Sequence, residues 1–257
     1  MAEFDRPTIA AARAGTGAAI DEGLRSYMLK VYNYMSIGLV VTGLVAWFAN
    51  QAATTTDPSA AVAQLQNGEM LTQWGALLYT SPLMWVITFA PLAFVLVLSF
   101  GINKLSAGTA QLLFWVFAAV MGLSISSIFM VYTDASIAKV FFISAATFGA
   151  MSLYGYTTKR DLTSIGNFLI MGLIGLVIAS IVNIFLASSM LDFAISAIGV
   201  LIFVGLTAYD TQKIKESYDQ GMGQELMQKS AVMGALSLYL DFINLFMMLL
   251  RLFGNRE

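Results

Sequence analysis

Residues 231–250 read AVMGALSLYLDFINLFMMLL, an apolar run interrupted by a single ionisable side chain, that of Asp241. About 20 mainly apolar residues are enough to cross the hydrocarbon core of a bilayer as an α-helix. The run is continuous, whereas outer-membrane strands are shorter and alternate between apolar and polar residues. We therefore predict a membrane-spanning helix that carries a carboxyl group inside it.

Six more runs of this kind precede it, so that seven spans are predicted at about 31–49, 83–100, 110–132, 140–156, 165–187, 193–209 and 231–250. The 257 residues are 58% apolar and only 11% charged, while a soluble domain has about 25% charged residues. The predicted fold is an all-α polytopic membrane protein. Residues 27–254 form its seven-helix domain, between a polar tail at 1–26 and a short C-terminal tail at 255–257.

The basic residues predict the orientation of these helices. Ten of the 13 Lys and Arg residues lie in the tail and in three turns that fall on one side of the membrane. An excess of Lys and Arg marks cytoplasmic segments. We therefore expect the N-terminus to be cytoplasmic and the C-terminus to lie outside. The formal net charge of -2 leaves no basic stripe that would indicate a nucleic-acid partner.

The chain has no histidine and no cysteine. Their absence excludes disulfides, thiolate nucleophiles, zinc sites with Cys or His ligands, Ser/His dyads and histidine pH switches. A group that titrates near neutral pH must then be a carboxyl group in an unusual environment.

Asp241 is the clearest candidate, because a charge at the centre of a spanning helix costs at least about 2.5–3.5 kcal/mol on insertion scales. Residues at spacings of three and four share a helix face. One such face is predicted to look into the bundle, and it contains Gly234, Ser237, Asp241, Asn244 and Met248.

Asp210, at the cytoplasmic end of the sixth run, is the predicted companion of Asp241, and Thr207 lies one helical turn before it. The sixth and seventh runs are antiparallel, so both carboxyl groups are expected in the cytoplasmic half of the membrane. Two adjacent carboxyl groups tend to share one proton. Taken alone, Asp210 is equally compatible with a helix-end residue that forms only local hydrogen bonds.

Several segments resemble the bacterial branch of the Bax inhibitor-1 family. They are GLSISSIF at 122–129, YT at 132–133, YGYTTKRDL at 154–162, GLTAYDTQ at 205–212 and LYLDFINLF at 238–246. The resemblance implies a central helix enclosed by the others, location in the bacterial inner (plasma) membrane and a pH-sensitive calcium leak. It also implies that Asp210 and Asp241 form the pH sensor. Some relatives carry an arginine near this pair, but this chain has no Lys or Arg between Lys30 and Lys104.

The resemblance and the polar residues together predict a non-enzymatic channel. Ca²⁺ prefers oxygen ligands, so it would be held transiently at Asp210 and Asp241 as the permeant ion, without a cofactor or a tight metal site. Thr207, Ser237, Asn244 and Ser124 are candidates for lining the pore or gate. The bilayer and Ca²⁺ are then the expected partners.

Two other functions remain open. The first is an interaction protein that modulates a membrane-anchored quality-control protease, with residues 1–26 as the segment that binds its partner. The second is an intramembrane aspartyl protease, because that chemistry also needs two carboxyl groups that share a proton. Asp241 lacks the Gly-x-Gly-Asp context of those enzymes, which disfavours the second alternative. A retinal protein is excluded, because the last run contains no lysine for a Schiff base.

Overall fold

The computed structural model describes residues 6–65 and 68–256, with side chains from residue 22 onward. Its elements, in chain order, are α1 (Arg6–Ala53), β1 (Thr54–Thr55), β2 (Ala63–Gln64), β3 (Met70–Leu71), α2 (Gln73–Tyr79), α3 (Leu83–Gly101), α4 (Ala107–Ile125), a 3-10 helix (Ser126–Met130), α5 (Asp134–Thr157), α6 (Thr163–Leu186), α7 (Ser189–Glu216) and α8 (Gln224–Phe253).

In the described chain, seven helices are long and apolar enough to cross a membrane, namely α1 and α3 to α8. Each of them overlaps one of the predicted runs, which confirms the all-α polytopic fold. Most of the helices extend past the predicted ends, because polar residues continue the backbone hydrogen bonding outside the apolar core. The run predicted at 110–132 was too long for one α-helix, since α4 ends at Ile125 and is followed by the 3-10 helix to Met130, and α6 ends one residue before its predicted end. The predicted sixth and seventh spans are α7 and α8.

The N-terminal segment differs from the prediction. Residues 1–26 were expected to form a polar tail, but α1 begins at Arg6 and runs without a break into the first span. Residues 1–5 lie outside the described residues, as does residue 257 of the predicted C-terminal tail. This segment contains many alanines, which favour helix, and polarity alone therefore did not indicate where the helix begins.

The connection at 50–82, which the sequence indicated only as a loop, contains additional structure. Its three strands pair antiparallel in the order β1-β3-β2, and α2 follows directly. The side chain of Thr72 caps α2 by accepting a hydrogen bond from the amide of Gly75. Strands of two residues are too short to show an alternating pattern in the sequence.

Helix α8 is the central helix of the bundle. In its most apolar stretch 67% of the residues are buried, compared with 6% in α6. It packs against α1, α4, α5 and α7. A helix that is apolar on nearly every side is typical of a position enclosed by others. The enclosed central helix implied by the family resemblance is therefore present, and Asp241 lies on it.

Close backbone approaches hold the outer helices to their neighbours. A Cβ atom on Gly122 would lie 2.6 Å from the carbonyl oxygen of Thr42, and one on Gly155 would lie 2.9 Å from the Cα atom of Ala208. Such crossings require small residues. By contrast, a Cβ atom on Gly43 or Gly175 would meet no described atom within 4 Å.

Candidate functional site

The site is built where α7 packs against α8, and small residues bring the two backbones close together. Cβ atoms on Gly199 and Gly234 would lie 3.0 Å from Met248 and 3.1 Å from Ile214, respectively. The contact of Gly199 with Met248 lies in the first half of α7, and the contact of Gly234 with Ile214 lies near the end of α7. Asp210 and Asp241 lie on the two helices between these contacts.

The structure brings the carboxyl groups of Asp210 and Asp241 into hydrogen-bonding contact. Asp241 is only 5% exposed. Its Oδ2 atom is buried and has no hydrogen-bond partner in the described part of the chain. An ionised carboxylate can only accept hydrogen bonds, so the contact between the two aspartates requires a proton on one of them. If both were ionised, two negative groups would face each other in a buried position.

Lys213 is the charged neighbour of the pair. It lies one turn after Asp210 on α7 and interacts electrostatically with the carboxyl group of Asp210. Its ammonium group also lies 5.9 Å from the ring centroid of Tyr209. This partner was not predicted, although a spacing of three residues on a helix places two side chains close together. Another lysine, Lys229, lies on the central helix α8 and forms a salt bridge of 3.0 Å with Glu225.

The predicted polar face of α8 is divided in the structure. Gly234, Asp241 and Met248 are buried, whereas Ser237 and Asn244 are half-buried and lie on a more accessible stripe of α8 with Met233, Leu240 and Met247. The amide of Asn244 donates to the carbonyl of Leu240 at 2.8 Å, within its own helix. The face that these five residues share is therefore only partly enclosed by the bundle, and its role in lining a pore stays a prediction.

The other two candidate lining residues are also placed by the structure. Thr207 is buried, and its hydroxyl group donates to the carbonyl of Phe203 at 2.7 Å. Ser124 is half-buried near the end of α4, on the membrane side opposite to that predicted for the aspartates. The structure therefore brings together the two aspartates, with Thr207 one turn away, but it does not bring Ser124 to them.

A chain of hydroxyl groups crosses the bundle beside α7. Tyr32 on α1 shares a hydrogen bond of 2.6 Å with Ser152 on α5, and Ser152 shares one of 3.0 Å with Thr211 on α7. Thr211 directly follows Asp210 in the sequence. These contacts join three helices that are distant in sequence, so no local pattern predicted them.

Gln212 fixes the turn between α5 and α6, which contains part of the YGYTTKRDL segment. Its Oε1 atom accepts from the amide of Leu162 at 2.8 Å, and its Nε2 atom donates to the carbonyl of Arg160 at 2.8 Å. Lys215 donates to the carbonyl of Tyr156, also at 2.8 Å. Side chains of α7 thus hold the ends of two neighbouring helices beside the aspartate pair.

The described residues contain no cluster of three or more acidic side chains suited to hold a metal ion. A dedicated Ca²⁺ site uses about six to eight oxygen ligands. Two carboxyl groups on their own can attract a hard cation and exchange it for protons, but they do not form a cage around it.

The chain was compared with known proteins. The model of the family described as "Inhibitor of apoptosis-promoting Bax1" matches residues 24–257. Inner membrane protein YbhL of Escherichia coli is 51% identical over 238 residues, which cover 91% of this chain and 94% of the relative. A protein of Rickettsia prowazekii is 50% identical over 237 residues, 92% of each chain, and one of Caulobacter vibrioides is 46% identical over 241 residues, 93% of this chain and 92% of the relative. With the matched region covering every membrane span and the aspartate pair, this chain belongs to the Bax inhibitor-1 family.

Proposed function

We propose that this protein is a pH-sensitive calcium leak of the bacterial inner membrane, gated by the Asp210–Asp241 pair. The contact between the buried carboxyl group of Asp241 and the carboxyl group of the half-buried Asp210, on neighbouring helices, is the observation that carries this proposal. The location is supported by the seven apolar helices and by the E. coli relative, which is named an inner membrane protein.

The gate follows from the chemistry of the pair. With one proton present, a hydrogen bond joins α7 to α8 and the pathway is closed. Loss of that proton replaces the hydrogen bond with repulsion between two carboxylates, which favours separation of the helices. The ionised pair also supplies oxygen ligands for a hard cation. We therefore expect calcium flux to rise as the proton leaves, with Lys213 setting the local charge balance.

The test is calcium efflux from proteoliposomes between pH 5 and pH 8. Asp241→Asn retains a side-chain donor for Asp210 that does not titrate, so it should give low flux that no longer depends on pH. Asp134→Asn is the matched control, because Asp134 is exposed in the first turn of α5, and it should behave as wild type. A wild-type pH response in Asp241→Asn would refute the gate.

The same contact keeps the intramembrane aspartyl protease as a second candidate, since a proton-sharing dyad is also the catalytic unit of such enzymes. A peptidase assay on the purified wild type and on Asp241→Asn separates the two functions. Cleavage that disappears in the variant would favour the enzyme, and calcium flux without cleavage would favour the leak.

A further inference from the structure

A polar cavity of about 440 Å³ lies at the end of the bundle opposite to the aspartate pair. It opens between the end of α6, the start of α7, the end of α8 and the turn before α5. Its polar lining residues are Tyr132, Ser180, Asn183, Asp192, Arg251 and Arg256. In the predicted orientation this is the outer surface of the membrane.

The cavity is lined by two basic side chains and one acidic side chain. Asp192 is the acidic residue among the lining residues, and one of its oxygens lies 3.7 Å from Nη1 of Arg251, with both side chains 41% exposed. That distance is too long for a hydrogen bond, so the guanidinium group of Arg251 retains donors for another ligand. Arg256 supplies a second guanidinium group, whose central carbon lies 5.8 Å from the ring centroid of Tyr132.

The backbone positions Arg256 at the cavity. Tyr132 and Arg256 form an antiparallel bridge. The amide of Thr133 donates to the carbonyl of Asn255 at 3.2 Å, and the amide of Asn255 donates to the hydroxyl group of Ser136 at 2.9 Å. The C-terminal segment is therefore fixed against the turn before α5. Glu257, which follows, lies outside the described residues.

The surroundings of the cavity are those of a lipid headgroup. Ile184 lines the cavity and is 77% exposed, and the adjacent Phe185 is 84% exposed. These apolar side chains near the end of a spanning helix face the acyl chains, while the two arginines lie just beyond them. A guanidinium group forms paired hydrogen bonds with phosphate oxygens, and two such groups suit a phosphate better than a carboxylate.

We propose that this cavity binds a phosphate group, and specifically the headgroup of an anionic phospholipid in the adjoining leaflet. Arg251 and Arg256 hold the phosphate oxygens. Asn183 and Tyr132 line the same cavity, where they would contact the glycerol part of the headgroup.

The experiment is native mass spectrometry of the full-length protein in detergent, titrated with dioleoylphosphatidylglycerol, with dioleoylphosphatidylcholine or with glycerol 1-phosphate. Wild type should bind phosphatidylglycerol at least tenfold more tightly than phosphatidylcholine. Since a hydrogen bond to a charged group contributes about 1.5–3 kcal/mol, each Arg→Gln change should weaken binding about tenfold or more. Lys139→Gln, which removes an exposed charge on the same predicted side, should leave the affinity unchanged.

Each outcome decides the proposal. Equal binding of the two lipids would overturn it, because the association would then not depend on headgroup charge. Unchanged affinity in Arg251→Gln and Arg256→Gln, or equal loss in Lys139→Gln, would also overturn it, because a diffuse surface charge would then explain the preference for the anionic lipid. Binding of glycerol 1-phosphate as tightly as the lipid would retain the phosphate site but overturn the lipid as its ligand. Arg256 forms no ion pair among the described residues, so Arg256→Gln removes no such contact. This variant therefore remains informative if Arg251→Gln fails to fold.

Discussion

The crossing of α5 and α7 next to the aspartate pair predicts opposite effects for two glycine substitutions on the same helix. In Gly155→Ala the new Cβ atom would lie 2.9 Å from both the Cα and the carbonyl carbon of Ala208. Carbon atoms pack best at about 3.5–4.0 Å, so the two backbones must separate by at least about 0.6–1.1 Å. The carbonyl oxygen of Ala208 lies nearer still to the added methyl group. In Gly149→Ala the Cβ atom meets no described atom within 4 Å.

The magnitudes follow from these distances. Forcing an extra methyl group into a packed contact costs about 1–3 kcal/mol. Alanine is more favourable than glycine inside a helix by about 0.5–1 kcal/mol, and both variants gain this amount. Gly149→Ala should therefore stabilise the protein slightly, and Gly155→Ala should be less stable than Gly149→Ala by about 1–3 kcal/mol. Because Ala208 lies close to Asp210, the shift in Gly155→Ala should also weaken the contact between the aspartates.

The assay is thermal unfolding of the full-length protein in detergent, followed by the fraction that stays monodisperse, together with calcium efflux from proteoliposomes. We expect a melting temperature several degrees lower for Gly155→Ala than for Gly149→Ala, and altered pH dependence of flux only in Gly155→Ala. Equal melting temperatures in the two variants would show that the α5–α7 crossing tolerates a methyl group, and would refute the packing argument.

Three further predictions concern single contacts. Tyr239→Phe removes the 2.6 Å hydrogen bond with Thr42 between α8 and α1, and should lower the free energy of unfolding by about 1 kcal/mol in a denaturant titration. Hydrogen bonds from the side chain and the amide of Thr163 lower the pKa of Asp161, so their stabilisation of the start of α6 is present above the ordinary carboxyl pKa and is lost as pH falls through the lowered value. Hydrogen exchange there should show this loss in acid, and Asp161→Asn should abolish the pH dependence. Gln212→Ala removes the two hydrogen bonds that fix the turn between α5 and α6, and should speed tryptic cleavage in that turn. A cleavage rate equal to that of wild type would show that Gln212 does not fix the turn.

The sequence predicted the spans and the aspartate pair because both depend on simple constraints. Apolar runs must match the thickness of the bilayer, and consecutive spans must be antiparallel. The second constraint is enough to bring Asp210 on α7 to the same depth as Asp241 on α8. Each step used only sequence position and helix geometry.

The parts that the sequence did not predict depend on contacts between distant segments. The hydroxyl chain from Tyr32 through Ser152 to Thr211 joins three helices with no pattern in common. The order of burial around α8 also could not be predicted. Lipid and protein interior are both apolar, so hydrophobicity does not distinguish a side chain that faces a neighbouring helix from one that faces lipid. For this reason the partial exposure of Ser237 and Asn244 was not predicted.

The polar side chains inside the bundle differ in how their hydrogen-bonding groups are satisfied, and Asp241 is the exception among them. Buried hydroxyl groups satisfy themselves locally, as Thr42 and Thr207 do by donating to the carbonyls of Gly38 and Phe203 at 2.9 and 2.7 Å. A carboxylate has no such solution, because it needs donors and the amides of a helix interior are already used by the helix. In the described chain the contact available to Asp241 is another acid, Asp210. Two acids can be joined only by something positive, which is either a proton or a cation. In the proposed leak, competition between these two for the place between the carboxyl groups is the physical basis for expecting calcium flux to depend on pH.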